Sequence, residues 1–357
     1  MSDPQSYTPA PIDGLRCLIT GGAGYLGQNL ARALLARGCT VHVLDTLAGE
    51  QAAPELASHP RVRWFVGDIR KPADVRAACE GVDVVFHTAA LIELARRAPE
   101  PFKALVRSVN IEGTRVLVEQ AAAAGVTRFV HTSSTNVVYG QRCVGGDETL
   151  PYSTSEDLYS STKAEAERVA LGANGARMRT CAIRPGGIYG PGERKTLIGP
   201  VVSSIQQGMP VIGFGDGSTR LDYTYIDNLV DGQLRAAERL VPGSPVCGSA
   251  YFVTDDQPIN PAEFSVRLVR LMGLGTTARR IPRRVAMAMA KGSELAFERF
   301  GKPRPQVTEV GVNLCTKDNF FSIAKARTDL GYTPVVSLDE GLRRTAEEAA
   351  LHYHGLS

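Results

Sequence analysis

The sequence predicts an α/β fold, a doubly wound parallel sheet with a smaller C-terminal lobe, on three observations. First, an apolar run at 15–20 opens onto a turn with glycines at 21, 24 and 27, and an amphipathic helix follows through Ala31, Leu34 and Leu35. Second, short apolar runs alternate with helical periodicities as far as Pro185. That is the pattern of parallel strands joined by helical crossovers. Third, glycine and proline become dense after Pro185 and the alternation stops, which marks a second lobe.

The elements follow in chain order. At the end of the first strand, Gly21 permits a tight turn, Gly24 lets a pyrophosphate approach the backbone, and Gly27 lets the helix lie against the strand. The helix N-terminus then offers unpaired N–H groups and a partial positive charge to an anion. A second strand, 40–44, ends in Asp45, roughly 20 residues past the glycines, where an acid meets the ribose hydroxyls of a dinucleotide. A carboxylate there repels a 2′-phosphate, and Thr46 and Leu47 bring no arginine, so NAD is expected rather than NADP. Any glycine-rich turn can join a strand to a helix. The order strand, triplet, helix, strand, acid makes this one the start of a Rossmann domain.

A third strand at 62–66 closes on Gly67-Asp68-Ile69, and a helix is predicted at 71–80. A fourth strand, 82–87, precedes Thr88-Ala89-Ala90, and a long helix is predicted over 102–124. A fifth strand (128–132), a helix (158–172) and a sixth strand (179–184) complete the NAD-binding domain, residues 13–186. Ligands of such sheets bind beyond the C-terminal strand ends. Gly21, Asp45, Asp68, Ala89, Ser134 and Pro185 all fall there. Residues 187–357 are assigned to the substrate-binding lobe, interleaved with the first because a strand near 249–254 is expected to return to the main sheet. Helices are predicted at 262–272, 283–300 and 338–354.

Composition narrows the class. Hydrophobic content of 43% and charged content of 22% are those of an ordinary globular chain. A net charge of +3 argues against a nucleic-acid partner. The seven cysteines are scattered without a CxxC pair and the six histidines show no ligand spacing. Reduced thiols in the cytoplasm and no metal are therefore expected. The opening MSDPQSYTPAP has no apolar core of a signal peptide, and no uncharged run nears the ~18 residues of a membrane span.

Tyr159 carries the chemistry. Of eleven tyrosines it alone has a lysine four residues on, Lys163, on the same helix face. A phenol of pKa about 10 is a poor base at neutral pH. A nearby ammonium and a positive nicotinamide would lower it. Tyr159 could then take the proton of a substrate hydroxyl as hydride leaves the carbon. A hydroxyl from Thr132-Ser133-Ser134-Thr135 could hold the substrate oxygen, or serve only the local backbone. Asn110 could position backbone or water near Lys163, or be a buried structural residue.

These residues resemble the extended short-chain dehydrogenase/reductases. The likeness rests on TGGAGYLG at 20–27, Asp45, Asp68-Ile69, His87 to Ala90, Asn110 with Gly113-Thr114, Tyr159 with Lys163, and RPGGIYGPG at 184–192. It implies that Gly24, Tyr25 and Leu26 lie along the pyrophosphate and that Asp68 and Ile69 sit by the adenine. Ala89, Ala90, Leu91 and Asn110 would approach the ribose, Lys163 would also hold the nicotinamide ribose, and Pro185 and Ile188 would border the cofactor. Within that family the chain is most similar to the bacterial 3β-hydroxysteroid dehydrogenases, through FHTAALIEL (86–94), TCAIRPGGIYG (180–190), LDYTYIDNLVDGQLRAAERL (221–240) and DNFFSIAKARTDLGY (318–332). The resemblance implies oxidation of a steroid 3β-hydroxyl to the 3-ketone with NAD. Many relatives also move the 5,6 double bond to 4,5, and dimers are usual. The family's catalytic hydroxyl falls on Ser134 counted from the strand, or on Thr135 counted back from Val138-Tyr139-Gly140. Ser134 is preferred because the strand fixes its geometry.

The alternative enzyme is a sugar-nucleotide epimerase or dehydratase. Those relatives carry Arg directly before the acid matched here at Asp222, whereas this chain has Leu221 there and Arg220 on the opposite strand face. Leu91, Ile92, Met178, Ile198, Val201, Val202 and Ile205 are candidate walls of an apolar pocket. A non-catalytic regulator would usually lack Tyr159 or Lys163. The basic, apolar stretch 283–300 either covers the substrate pocket or touches a membrane.

Overall fold

The computed structural model describes residues 7–140, 143–154, 157–301 and 304–354. Seven strands form one sheet, in the order Ser249–Val253, Arg179–Pro185, Arg128–Thr132, Val84–His87, Arg16–Thr20, Thr40–Asp45, Val62–Val66. Every neighbouring pair is parallel. The winding reverses between Arg16–Thr20 and Val84–His87, so the crevice of the sheet opens where Gly21 and Ala89 meet.

The central strands are buried on both faces, which is why they read as continuous apolar runs. Helices Tyr25–Ala36 and Ile226–Arg239 cover one face through Leu26, Leu30, Leu34, Ile226 and Leu229. Helices Pro72–Cys79, Gly113–Ala123 and Leu158–Gly172 cover the other through Val75, Leu117, Ala121 and Ala170. Helix Ile226–Arg239 escaped the periodicity reading because buried Asn228, Gly232 and Gln233 interrupt its apolar stripe. A Cβ on Gly232 would come within 2.8 Å of Val253, so a glycine is needed there for the helix to reach the sheet.

The helix predicted over 102–124 begins at Glu100 and contains a π turn, Ser108–Glu112, in which Asn110 is buried. Such turns widen a helix locally and re-aim one side chain. The fourth strand starts at Val84 rather than 82.

Beyond Pro185, apart from Ser249–Val253, strands pair in twos: Gly187–Tyr189 with Tyr223–Tyr225, and Val211–Phe214 with Ala278–Ile281. Cys143–Gly146 pairs with Asn319–Phe321, so chain from each half crosses into the other. Tyr223 stacks on Phe264 at 4.2 Å, and Tyr189 meets Phe264 edge-on at 5.1 Å.

Among the described residues, one ion pair is fully internal. Arg184, on the strand Arg179–Pro185, binds Glu167 of helix Leu158–Gly172 at 2.6 Å. The hydroxyls of Ser133 and Tyr152 also donate to Glu167, at 2.5 and 2.8 Å. Arg184→Met would leave this carboxylate buried and uncompensated. It should lower stability by about 3–5 kcal/mol in equilibrium unfolding. An unchanged unfolding midpoint would mean that the pair holds nothing together.

Candidate active site

The glycine turn is built as tightly as its sequence implies. Gly21 has φ of +72°, and a Cβ there would lie 2.8 Å from the backbone of Ala89. Its amide donates to the Leu44 carbonyl at 2.9 Å. A Cβ on Gly27 would come within 2.4 Å of the Gly21 carbonyl. Gly22 is equally constrained, since its Cβ would strike Val43 at 2.3 Å, and the sequence reading gave it no role. Helix Tyr25–Ala36 has no side-chain cap and no acid in its first turn. Its first N–H groups are therefore free for an anion.

Asp45 holds this turn from behind. One carboxylate oxygen accepts from the Ala23 amide at 3.0 Å, the other from the Leu47 amide at 3.0 Å. Gly21, Gly24, Tyr25, Leu26, Ala90, Ser134, Tyr159, Lys163, Pro185 and Ile188 all line one cavity of 1320 Å³. Asp45, Asp68, Ile69, Ala89 and Asn110 are not on its wall. Asp68 is paired with Arg70, Ile69 is buried against Gly113, and Ala89 backs Gly21.

Helix Leu158–Gly172 starts at Asp157, whose side chain accepts from the Ser160 amide at 2.8 Å. From it Lys163 reaches the Thr132 carbonyl at 2.6 Å and is buried. Burial pushes Lys163 down to about 8, with Glu167 pulling the other way. Burial pushes Tyr159 up to about 12; a hydrogen bond from Ser134 opposes this and the Asp157 charge adds to it. The acidified phenol was expected from the ammonium together with a positive nicotinamide; among the protein's own groups burial prevails. The ammonium is committed to a backbone carbonyl, and burial outweighs it. Ser134 and Thr135 both line the cavity with Tyr159. Ser134 also accepts from the Asn136 amide at 3.2 Å, which fixes it at the head of a 3₁₀ turn, Thr135–Val138.

A polar chain behind the site was not read from the sequence. Thr114 donates to the Asn110 carbonyl at 2.6 Å, so its oxygen accepts from His87 Nε2 at 2.9 Å. His87 Nδ1 then accepts from Thr20 at 2.7 Å. Burial and the Lys163 charge push His87 down to about 3, so it stays neutral. Asn110 donates to the Leu91 carbonyl and to Thr162, both at 3.0 Å, and accepts from the Leu91 amide at 2.8 Å. It clamps the loop after Val84–His87 to the helix that carries Tyr159. The readable signal was His87 at a strand end and Thr114 four residues after Asn110.

Past Tyr159 the cavity wall is largely apolar: Leu197, Ile212, Phe214, Leu221, Tyr223 and Leu314. Of the walls expected from sequence, only Ile92 lines it. Met178, Ile198 and Val202 face the core instead, and Leu91, Val201 and Ile205 also lie off the wall. Helix Ile198–Gln206 turns its apolar stripe inward, so hydrophobicity alone could not separate wall from core. Arg220 is exposed over the Phe320 ring at 4.6 Å, while Leu221 takes the wall. No residue of helix Arg283–Phe300 lines the cavity. Its Ala286 and Ala290 pack on Val312, in the helix that supplies Gly311 and Leu314 to the wall. Its Val285, Met289, Leu295 and Phe300 are exposed.

A dinucleotide-shaped turn continuous with a buried Tyr–Lys–Ser cluster defines the extended short-chain dehydrogenase/reductase class. The model of the 3-beta hydroxysteroid dehydrogenase/isomerase family matches residues 18–283, and the chain belongs to that family. The chain is 40% identical to a 3-beta-hydroxysteroid dehydrogenase of Mycolicibacterium neoaurum, over 96% of this chain and 92% of the other. It is 41% identical to a 3 beta-hydroxysteroid dehydrogenase/Delta 5→4-isomerase of Mycobacterium tuberculosis, over 92% and 88%. Among solved structures it is similar to a UDP-glucuronic acid 4-epimerase from Bacillus cereus in complex with UDP-glucuronic acid and NAD. That match has a TM-score of 0.76 at 22% identity and covers 95% of this chain and 100% of the other, a likeness of fold.

Lys163 links the site to stability. Its value in the folded protein, about 8, lies below its ordinary 10.5. Between those values the unfolded chain holds a proton that the folded protein has lost, so stability rises with pH across that window. Lys163→Met removes the effect. The unfolding free energy of the wild type minus that of Lys163→Met should be flat below pH 8 and rise from 8 to 10.5. A difference that falls over that window would contradict a buried ammonium.

Proposed function

We propose that this protein oxidises the 3β-hydroxyl of a steroid or sterol to the 3-ketone with NAD, followed by movement of the double bond from Δ5 to Δ4. The observation that carries this reading is one continuous cavity. It begins at the glycine turn, passes Ser134, Tyr159 and Lys163, and ends between apolar walls. At 1320 Å³ it exceeds an ordinary small-ligand pocket of roughly 300–1,000 Å³, leaving room for a dinucleotide and a second molecule.

The residues fit NAD. The free amides after Gly24 face a pyrophosphate, and Asp45 beside Ala23 and Leu47 disfavours a 2′-phosphate. Asp68, Ile69, Ala89 and Asn110 would back the adenine and ribose side, while Pro185 and Ile188, on the cavity wall, would border the nicotinamide. The chemistry NAD supplies when bound is hydride acceptance beside a positive ring. Ser134 donates to the substrate oxygen and orients it. Tyr159 takes the hydroxyl proton, which its neutral resting phenol does only once positive charge stands near it. Lys163 supplies part of that charge and holds the ribose. The division of labour is cofactor on 13–186 with the strand Ser249–Val253, and substrate on 187–357.

The sugar-nucleotide alternative is disfavoured by the outward Arg220 and by the apolar wall. Arg280, on that wall, donates to the Asp216 carbonyl at 2.7 Å. Seven free thiols fit a cytoplasmic setting. Family resemblance supports a homodimer. The exposed face of Arg283–Phe300 suits peripheral contact with a membrane that holds the substrate.

Purified protein with NAD should form NADH from a 3β-hydroxysteroid and not from UDP- or dTDP-sugars. Tyr159→Phe should lower kcat by about 10²–10⁴-fold, the usual worth of a positioned acid–base group. Ser134→Ala should lose more activity than Thr135→Ala. Conversion of the sugar nucleotide, or full turnover by Tyr159→Phe, would overturn the assignment.

A further inference from the structure

A second cavity, of 580 Å³, lies outside the large one. Its wall comes from the loop at Arg96 and Arg97 and from four helices, Glu100–Arg107, Leu158–Gly172, Arg283–Phe300 and Glu309–Leu314. Five cations line it, Arg96, Arg97, Lys103, Arg107 and Lys291, against one acid among the described residues, Glu309. Two further acids reach these cations from off the wall. Glu100 lies 3.5 Å from Lys103 and 3.3 Å from Arg107, and Glu298 lies 3.3 Å from Arg97. Among the described residues positive charge still exceeds negative, and Lys291 has no ion pair.

The elements that carry these cations are fastened together. The buried carboxylate of Glu294 accepts from the Arg96 and Arg97 amides, each at 3.0 Å, and from the Glu309 amide at 2.8 Å. Phe102 meets Phe297 edge-on at 6.1 Å and holds helix Glu100–Arg107 on helix Arg283–Phe300. Like charges gathered on a fixed frame repel one another, and an anion seated among them relieves that repulsion.

The cavity opens beside apolar surface. Leu295 lines it and is 56% exposed. Val285, Met289 and Phe300 of the same helix and Leu105 of Glu100–Arg107 are exposed as well. A free phosphate ion would use the cations and leave these side chains in water. An acidic phospholipid answers both, with its phosphate among the cations and its acyl region against the apolar rim. The two cavities also share their walls. Ile92 and Leu94 line the large one, and Arg96 and Arg97, next along the chain, line the second. Helix Glu309–Leu314 gives Glu309 to the second and Gly311 and Leu314 to the large one. Ile92 is itself 54% exposed, so the large cavity reaches the surface beside the basic one.

We propose that the second cavity binds the phosphate headgroup of an acidic phospholipid and seats the protein on a membrane with the Ile92 side of the large cavity toward the lipid. This gives the exposed face of Arg283–Phe300 its partner, and it rests on the steroid reading only for what the membrane delivers.

Vesicle flotation with the full chain tests it. The protein should float with vesicles of phosphatidylcholine and phosphatidylglycerol but not with phosphatidylcholine alone, and raised salt should release it. Lys291→Gln and Arg107→Gln should each weaken binding about fivefold, the usual worth of one basic residue at an acidic surface. Leu295→Asn should weaken it too. All three variants should keep the wild-type unfolding midpoint and, with a detergent-dispersed 3β-hydroxysteroid, the wild-type rate of NADH formation. With the steroid carried in vesicles, phosphatidylglycerol should raise the wild-type rate, and the variants should lose that gain. Equal flotation on both vesicle types, or wild-type binding by both Lys291→Gln and Arg107→Gln, would overturn the inference. Inorganic phosphate that binds by calorimetry to a protein floating with neither vesicle would leave a free-phosphate site and overturn the lipid assignment. Flotation on acidic vesicles without NADH from any steroid would instead count against the dehydrogenase reading and leave this one standing.

Discussion

The hydrogen bond from Lys163 to the Thr132 carbonyl is the constraint on which the site depends. It ties helix Leu158–Gly172 to the end of strand Arg128–Thr132 and so fixes Tyr159 against Ser134. An ammonium taken out of water is held there by one backbone oxygen, with the Glu167 charge one helical turn away. Desolvation of that kind is expensive, and a scaffold tolerates it only where surrounding groups leave no alternative arrangement. Here Arg184, Ser133 and Tyr152 hold Glu167, and Glu167 lies on the same helix as the lysine.

The same helix is fixed from its other side. Asn110 reaches it through Thr162, and the Thr20–His87–Thr114 chain ties the Asn110 carbonyl back to the strand that ends in the glycine turn. The glycine turn, loop 88–91 and helix Leu158–Gly172 are therefore one connected unit. Burial keeps its members in neutral or poised states: His87 uncharged, Tyr159 a phenol, Lys163 near its titration point.

Much of this was legible in the chain. The strands Val62–Val66 and Arg128–Thr132 and the helices Leu158–Gly172, Arg283–Phe300 and Leu338–His354 fall where the chain reading put them. Gly21, Gly27 and the Tyr159–Lys163 spacing were readable because local geometry dictates them. The parts that were not legible depend on distant chain. Gly22 is forced by Val43, Asn110 is aimed by a π turn, and Gly232 is shaped by Val253. The cavity wall could not be told from the core, since Leu197 and Leu314 face a ligand while Met178 and Val202, equally apolar, do not. The resting acidity of Tyr159 was not legible for a related reason, because burial raises its pKa in the free protein. Spacing shows that a lysine is near, not where its proton points.

The central claim is that Tyr159 is a neutral phenol in the free protein and becomes a base only when NAD brings its positive ring beside it. Carbon-13 NMR of ring-labelled tyrosine, with the Tyr159 signal identified by its loss in Tyr159→Phe, measures this directly as pH is varied with and without NAD. The account predicts titration near 12 in the free protein and a shift to clearly lower pH on NAD binding. A Tyr159 signal whose titration does not move when NAD binds would contradict it.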